Sequence, residues 1–168
     1  MAAIPYSTAL IVGAGPGISA SVARGLAAAG LKLGIAARKA LEISAFGGFL
    51  VVQQAARRMI PKEHGAILLT GASASVKGYP RSAIFAMGKF ALRGLAQSTA
   101  RELAPKGIHV AHFVIDGGVR SARRPDPADR PDSTLDPDAI AQTYLEVLRQ
   151  PRSAWSLEVE MRPWVETF

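Results

Sequence analysis

The stretch from Gly65 to Gly118 constrains the fold more than any other part of the chain. It reads GAILLTGASASVKGYPRSAIFAMGKFALRGLAQSTARELAPKGIHVAHFVIDGG. Ala66–Thr70 is a short apolar run of the kind that fills a sheet covered on both faces. Gly71–Arg81, broken by two glycines and a proline, reads as a loop. From Ser82 to Leu103 the residues Phe85, Phe90, Leu92, Leu95 and Leu103 recur at helical spacings. Lys106-Gly107 stops that helix, and Ile108–Ile115 is a second strand run. A strand, a long helix and a strand make a right-handed parallel crossover.

A second unit of the same kind opens the chain. The strand Thr8–Val12 runs into Gly13-Ala14-Gly15-Pro16-Gly17-Ile18-Ser19. A helix with Ile18, Val22 and Leu26 on one face follows, closed by Gly30, and Leu31–Ala37 is the next strand. This context turns a glycine cluster into a dinucleotide motif: Gly13 makes the tight turn, and Gly15, Gly17 and Ile18 let backbone amides approach a pyrophosphate at a helix N-terminus. Arg38 and Lys39 stand at the strand end where an acidic residue would bind a ribose 2′-hydroxyl. Two cations suit a 2′-phosphate, so NADP(H) is expected over NAD(H).

In these motifs the chain resembles the short-chain dehydrogenase/reductase family, whose strand, serine-bearing loop and Tyr-x-x-x-Lys helix the central stretch follows. The resemblance covers nearly the whole chain and implies a doubly wound parallel α/β sheet. It also implies a carbonyl or alcohol oxidoreductase working on a small molecule, with a homodimer or homotetramer built on the helices Ile43–Met59 and Ser82–Leu103. Lys89 matches the lysine that binds the nicotinamide ribose. Gly117 and Ser121 match the turn that touches the nicotinamide.

Three positions depart from the pattern. Phe85 stands at the tyrosine position, has no proton to give and reads as a core aromatic. Ala72 falls at the serine position, with Ser73 one residue out of register, and Ser44 falls at the asparagine position. Near residues 40 and 41 two strands and their helices of the family pattern have no counterpart. The alternatives to an enzyme are therefore a weak or inactive dinucleotide-binding sensor or partner subunit, and a scaffold that binds no nucleotide.

The remaining segments set smaller expectations. In the helix Ile43–Met59, Phe46, Leu50 and Ala55 are the buried candidates, and residues 119–138 form a lid or a linker. Ala139–Leu148 is a last helix. Trp155–Met161 is a last strand, with Leu157, Val159 and Met161 inside and Ser156, Glu158 and Glu160 on a wet face. The 168 residues suit one domain, and the absence of cysteine excludes disulfides and thiol chemistry. A net charge of +7 is scattered rather than striped, which argues against nucleic acid. No secretory signal or membrane span is visible, so a cytoplasmic location is expected. His109 and His112 point to opposite faces of their strand, so no metal site is expected of them.

Overall fold

The structure is a computed structural model that describes Thr8–Leu10, Lys32–Gly34 and residues 41–167. The chain divides into two compact units, Met1–Arg38 and Lys39–Phe168. The first contributes strands β1 (Thr8–Leu10) and β2 (Lys32–Gly34), paired in parallel from Thr8↔Lys32 to Leu10↔Gly34. The glycine turn with Gly13, Gly15, Gly17 and Ile18, and the cations Arg38 and Lys39, lie outside the described residues.

The second unit runs through helix α1 (Gly47–Met59), strand β3 (Gly65–Thr70), helix α2 (Ala83–Leu103) and strand β4 (Ile108–Ile115). Helix α3 (Pro137–Arg149) and strand β5 (Glu158–Met161) complete it. Its sheet has the order β3-β4-β5, and both pairings are parallel. β3 and β4 match from Gly65↔Ile108 to Thr70↔Phe113, so the crossover read from the sequence is present, with α2 as its helix. Among the described residues β1 pairs with β2 and β3 with β4, in separate sheets.

β4 is covered on both faces, which is why its residues are apolar apart from His109 and His112. Ile108 and Val110 pack with Ile67 and Leu69 of β3 against Val52 of α1 and Leu92, Ala96 and Leu103 of α2. On the other face Ala111 and Phe113 pack with Val147 and Tyr144 of α3. Each buried Leu, Ile or Val stabilises the fold by about 1.5–3 kcal/mol relative to exposure. Gly107 ends the α2 turn at φ 78, and a Cβ there would strike the Glu63 carbonyl, so only glycine fits.

Two expectations are corrected in α1. A π-helical turn, Leu41–Phe46, precedes it. Its core face is Val52, Ala55, Ala56 and Met59, at spacings of three and four, which leaves Phe46 57% and Leu50 43% exposed. Ala55 packs as expected. In α2 likewise, Phe90 is 43% exposed because Ala86, Leu92, Ala96 and Leu103 form the inner stripe.

The segment before α3 is a structured loop. Asp126 accepts from Thr134 N and Oγ1, from Asp132 N and from Arg120. Arg120 also pairs with Asp136, whose other oxygen caps α3 by accepting from Asp138 N at 2.8 Å. Leu135, buried, closes the loop on Gly118 and Arg120 through backbone hydrogen bonds. β5 keeps the expected alternation, with Glu158 and Glu160 exposed and Val159 and Met161 half-buried, and Glu158 also pairs with Arg93 of α2 and His112 of β4. No helix among the described residues is long and apolar enough to cross a membrane.

Candidate active site

The carboxyl ends of β3 and β4 carry the candidate residues. After Thr70 the chain makes a 3-10 turn, Ser73–Ser75, and then enters α2. Ser75 is fully buried, and its Oγ accepts from Ala72 N at 3.1 Å. Ser73 accepts from Val76 N and Lys77 N through its carbonyl, which fixes its place at the head of the turn. Ser82 stands at the start of α2, but its hydroxyl exchanges hydrogen bonds with Tyr79 rather than capping the helix.

From the first turns of α2, Lys89 reaches the end of β3. Its Nζ donates to the Thr70 carbonyl at 3.1 Å, and burial pushes its pKa below the usual lysine value. The same Nζ lies 5.8 Å from the centre of the Phe85 ring, within cation–π range. Phe85 is 51% exposed and is not the core aromatic the sequence suggested. It follows Ser82 by three positions, in the first turn of α2, on the same side as Lys89 and the buried Leu92. With Ile43, Ser44, Arg81 and Ile84 it lines a cavity of about 620 Å³. The positions read as the tyrosine and asparagine of the pattern thus share one cavity, and neither carries a proton donor of tyrosine type.

Asp116, fully buried at the end of β4, accepts from Lys77 Nζ at 2.7 Å. Burial works against its charge, but hydrogen bonds from Lys77 and Ser73 outweigh it and hold the carboxyl below the usual range. Gly117 follows at φ 147, where a Cβ would press on Pro163. Ser121 is exposed and forms a two-residue bridge with Arg124. The structure therefore brings together Ser73, Lys77 and Asp116 around one turn, and Lys89, Phe85 and Ser44 around the adjoining helix start.

Sequence reasoning missed the polar groups beneath that turn. Arg93 grips Glu158 with two bonds of 2.7 Å, and Glu158 Oε2 lies 3.1 Å from His112 Nδ1. The signal was present: His112 interrupts an otherwise apolar strand, and a fully buried histidine needs a partner. His109, on the opposite face, stacks on Trp155 at 4.8 Å between ring centres and bonds the Ser156 carbonyl, a structural role as expected.

The profile of the short chain dehydrogenase family matches residues 36–126, more than half of the chain. The chain belongs to the short-chain dehydrogenase/reductase family. It is 41% identical to a short-chain dehydrogenase of Rhodopseudomonas palustris of known structure, with a TM-score of 0.63 over 76% of this chain and 51% of that one. A metagenomic short-chain oxidoreductase solved in complex with NADP shares the fold, with a TM-score of 0.58 at 23% identity over 73% of this chain and 50% of that chain. Short chain aldehyde dehydrogenase 1 of Euphorbia lathyris is 38% identical over 73 residues, which are 44% of this chain and 25% of that protein. The chain thus spans about half or less of the length of these relatives. Its parallel sheet with flanking helices is the Rossmann-like architecture of the family.

Proposed function

We propose that this chain supports nicotinamide-dinucleotide oxidoreduction of a carbonyl or alcohol, with NADP(H) favoured over NAD(H), and that its proton donor is not a tyrosine. Lys89 carries this reading. An ammonium group partly withdrawn from water at the carboxyl end of a parallel strand supports the reading that it binds a ribose hydroxyl. Arg38 and Lys39 supply the charge for a 2′-phosphate, and Gly13, Gly15, Gly17 and Ile18 the pyrophosphate turn. Gly117 and Ser121 are assigned to the nicotinamide side. Ser73, tied to Asp116, is the hydroxyl nearest the expected carbonyl-polarising position. The NADP held by the metagenomic relative is consistent with this cofactor choice.

Phe85 sets the rate. A positioned general acid contributes about 10²–10⁴-fold, and the aromatic ring in its place contributes none. Carbonyl reduction is therefore slow in the wild type and rises in Phe85→Tyr, whose hydroxyl would enter the cavity beside Lys89. NADPH oxidation with a panel of aldehydes and ketones tests this directly. No turnover above background in either form overturns the oxidoreductase reading. Phe85 itself favours one second reading, that of a dinucleotide-binding sensor or partner subunit without turnover, and dinucleotide binding with no turnover in either form selects it.

The assembly is proposed to be a homodimer or homotetramer. Ile43, Phe46, Leu50 and Val51 around α1, and Ile84 at the start of α2, are all at least 43% exposed. Exposed apolar side chains in such number mark a surface that is covered in use. Sizing by light scattering tests it, and a monomer at micromolar concentration contradicts it.

A further inference from the structure

Beneath the Gly71–Ser75 turn, His112 is fully buried in β4. Its Nδ1 faces Glu158 at 3.1 Å, and Glu158 is ionised because the Arg93 guanidinium holds it below the usual carboxylate range. A neutral imidazole beside a carboxylate keeps its proton on Nδ1. Nε2 is then a bare acceptor, and it is buried without a hydrogen-bond partner. What faces it is the turn itself. A Cβ placed on Gly71 would lie 2.6 Å from Ser75 Oγ and 2.7 Å from His112 Cε1, and nearer still to Nε2. The ring edge therefore packs directly on the Gly71 backbone, between Thr70, whose carbonyl holds Lys89, and the turn that carries Ser73.

We propose that His112 is a positioning residue for the Thr70–Ser75 segment, and that the segment keeps its geometry only while the imidazole is neutral. Protonation adds a hydrogen on Nε2 where the packing leaves no room for one. The hydroxyl on that side is Ser75 Oγ, which already ties the turn together by accepting from Ala72 N. Protonation also sets a second cation beside Lys89. The charged groups that face the ring are Glu158 from β5 and Arg93 and Lys89 from α2; the turn itself offers only hydroxyl and backbone groups. Burial disfavours the imidazolium, Glu158 favours it, and Arg93 and Lys89 disfavour it, with a net downward shift of the His112 pKa. As pH falls, the turn is thus disturbed below the ordinary histidine range. The proposal rests on the functional reading only in treating Ser73 and Lys89 as site residues.

NMR on the full chain without any nucleotide tests it independently of cofactor binding. Imidazole nitrogen shifts are expected to show the Nδ1–H tautomer and a His112 midpoint below the ordinary histidine range. The backbone amides of Gly71, Ala72 and Ser73 are expected to titrate with the His112 midpoint. In His112→Asn the side-chain amide keeps a donor toward Glu158 and removes the ring edge, so these amide titrations disappear. An Nε2–H tautomer, amides that stay flat through the His112 titration in the wild type, or an unchanged amide titration in His112→Asn each overturns the proposal. Because the wild-type titration decides by itself, a variant that fails to fold does not rescue it.

Discussion

At the scale of single residues, Gly71 shows how a side chain that is absent becomes a requirement. His112 and Ser75 occupy the space a Cβ would need, and neither is the free end of a flexible chain. Gly71→Ala is expected to cost about 1–3 kcal/mol of stability by overpacking, read as a lower urea midpoint with an unchanged denaturant slope. Glu158 gives a pH-dependent prediction. Its folded-state pKa is depressed, so its contribution is present above about pH 4.3 and is lost as pH falls through the lower, folded value. The Arg93 and Glu158 side chains are each 30% exposed, so solvent screening limits the pair to about 1 kcal/mol. Glu158→Gln is expected to lower stability by about that amount at pH 7 and to flatten the loss between pH 5 and pH 3, measured by urea unfolding at each pH. Lys89 and Phe85 were legible because their spacing of four fixes them on one side of a helix. The exposure of Phe85 was not, because seven residues before the buried Leu92 it shares the inner side of α2, and only its place in the first turn leaves it uncovered. Glu158 stands on the wet face as alternation indicated, but its pairing with Arg93 and His112 was not legible, because those partners lie 65 and 46 positions away.

Among the elements, strands and helices were the most legible part of the molecule. β3, α2 and β4 lie within a residue or so of their expected limits, since mostly apolar strand runs and a glycine stop leave few alternatives. The core face of α1 was harder, because Phe46, Leu50 and Val52 are all apolar and only partner helix α2 selects among them. The loop before α3 was illegible as structure. Its order comes from Asp126 contacts with residues six to eight positions away, which leave no periodic signal. Asp126→Ala removes the acceptor of Thr134, Asp132 and Arg120 and leaves Arg120 its pairing with Asp136, so limited proteolysis within residues 122–135 is expected to accelerate while α1, α2 and the sheet stay protected. Equal cleavage in both proteins would show that the Asp126 contacts do not order the loop. Asp136→Ala removes the cap of α3 and an Arg120 partner, with an expected loss of about 0.5–2 kcal/mol measured by thermal or urea unfolding.

Taken whole, the molecule presents the Rossmann-like fold of a short-chain dehydrogenase in a chain about half the length of its relatives of known structure. Its family was legible from the glycine turn, the crossover and Lys89, because those features answer to backbone geometry and phosphate charge. Its substrate was not, because none of the residues that carry the resemblance selects one. We propose that the chain binds a nicotinamide dinucleotide through Lys89, with a preference for the 2′-phosphate. A fluorescence titration of the 168-residue protein with NADPH and NADH in parallel tests it most directly. The account predicts micromolar binding of NADPH, weaker binding of NADH, and a loss of affinity in Lys89→Met. Failure to bind either dinucleotide, or binding unchanged in Lys89→Met, would contradict it.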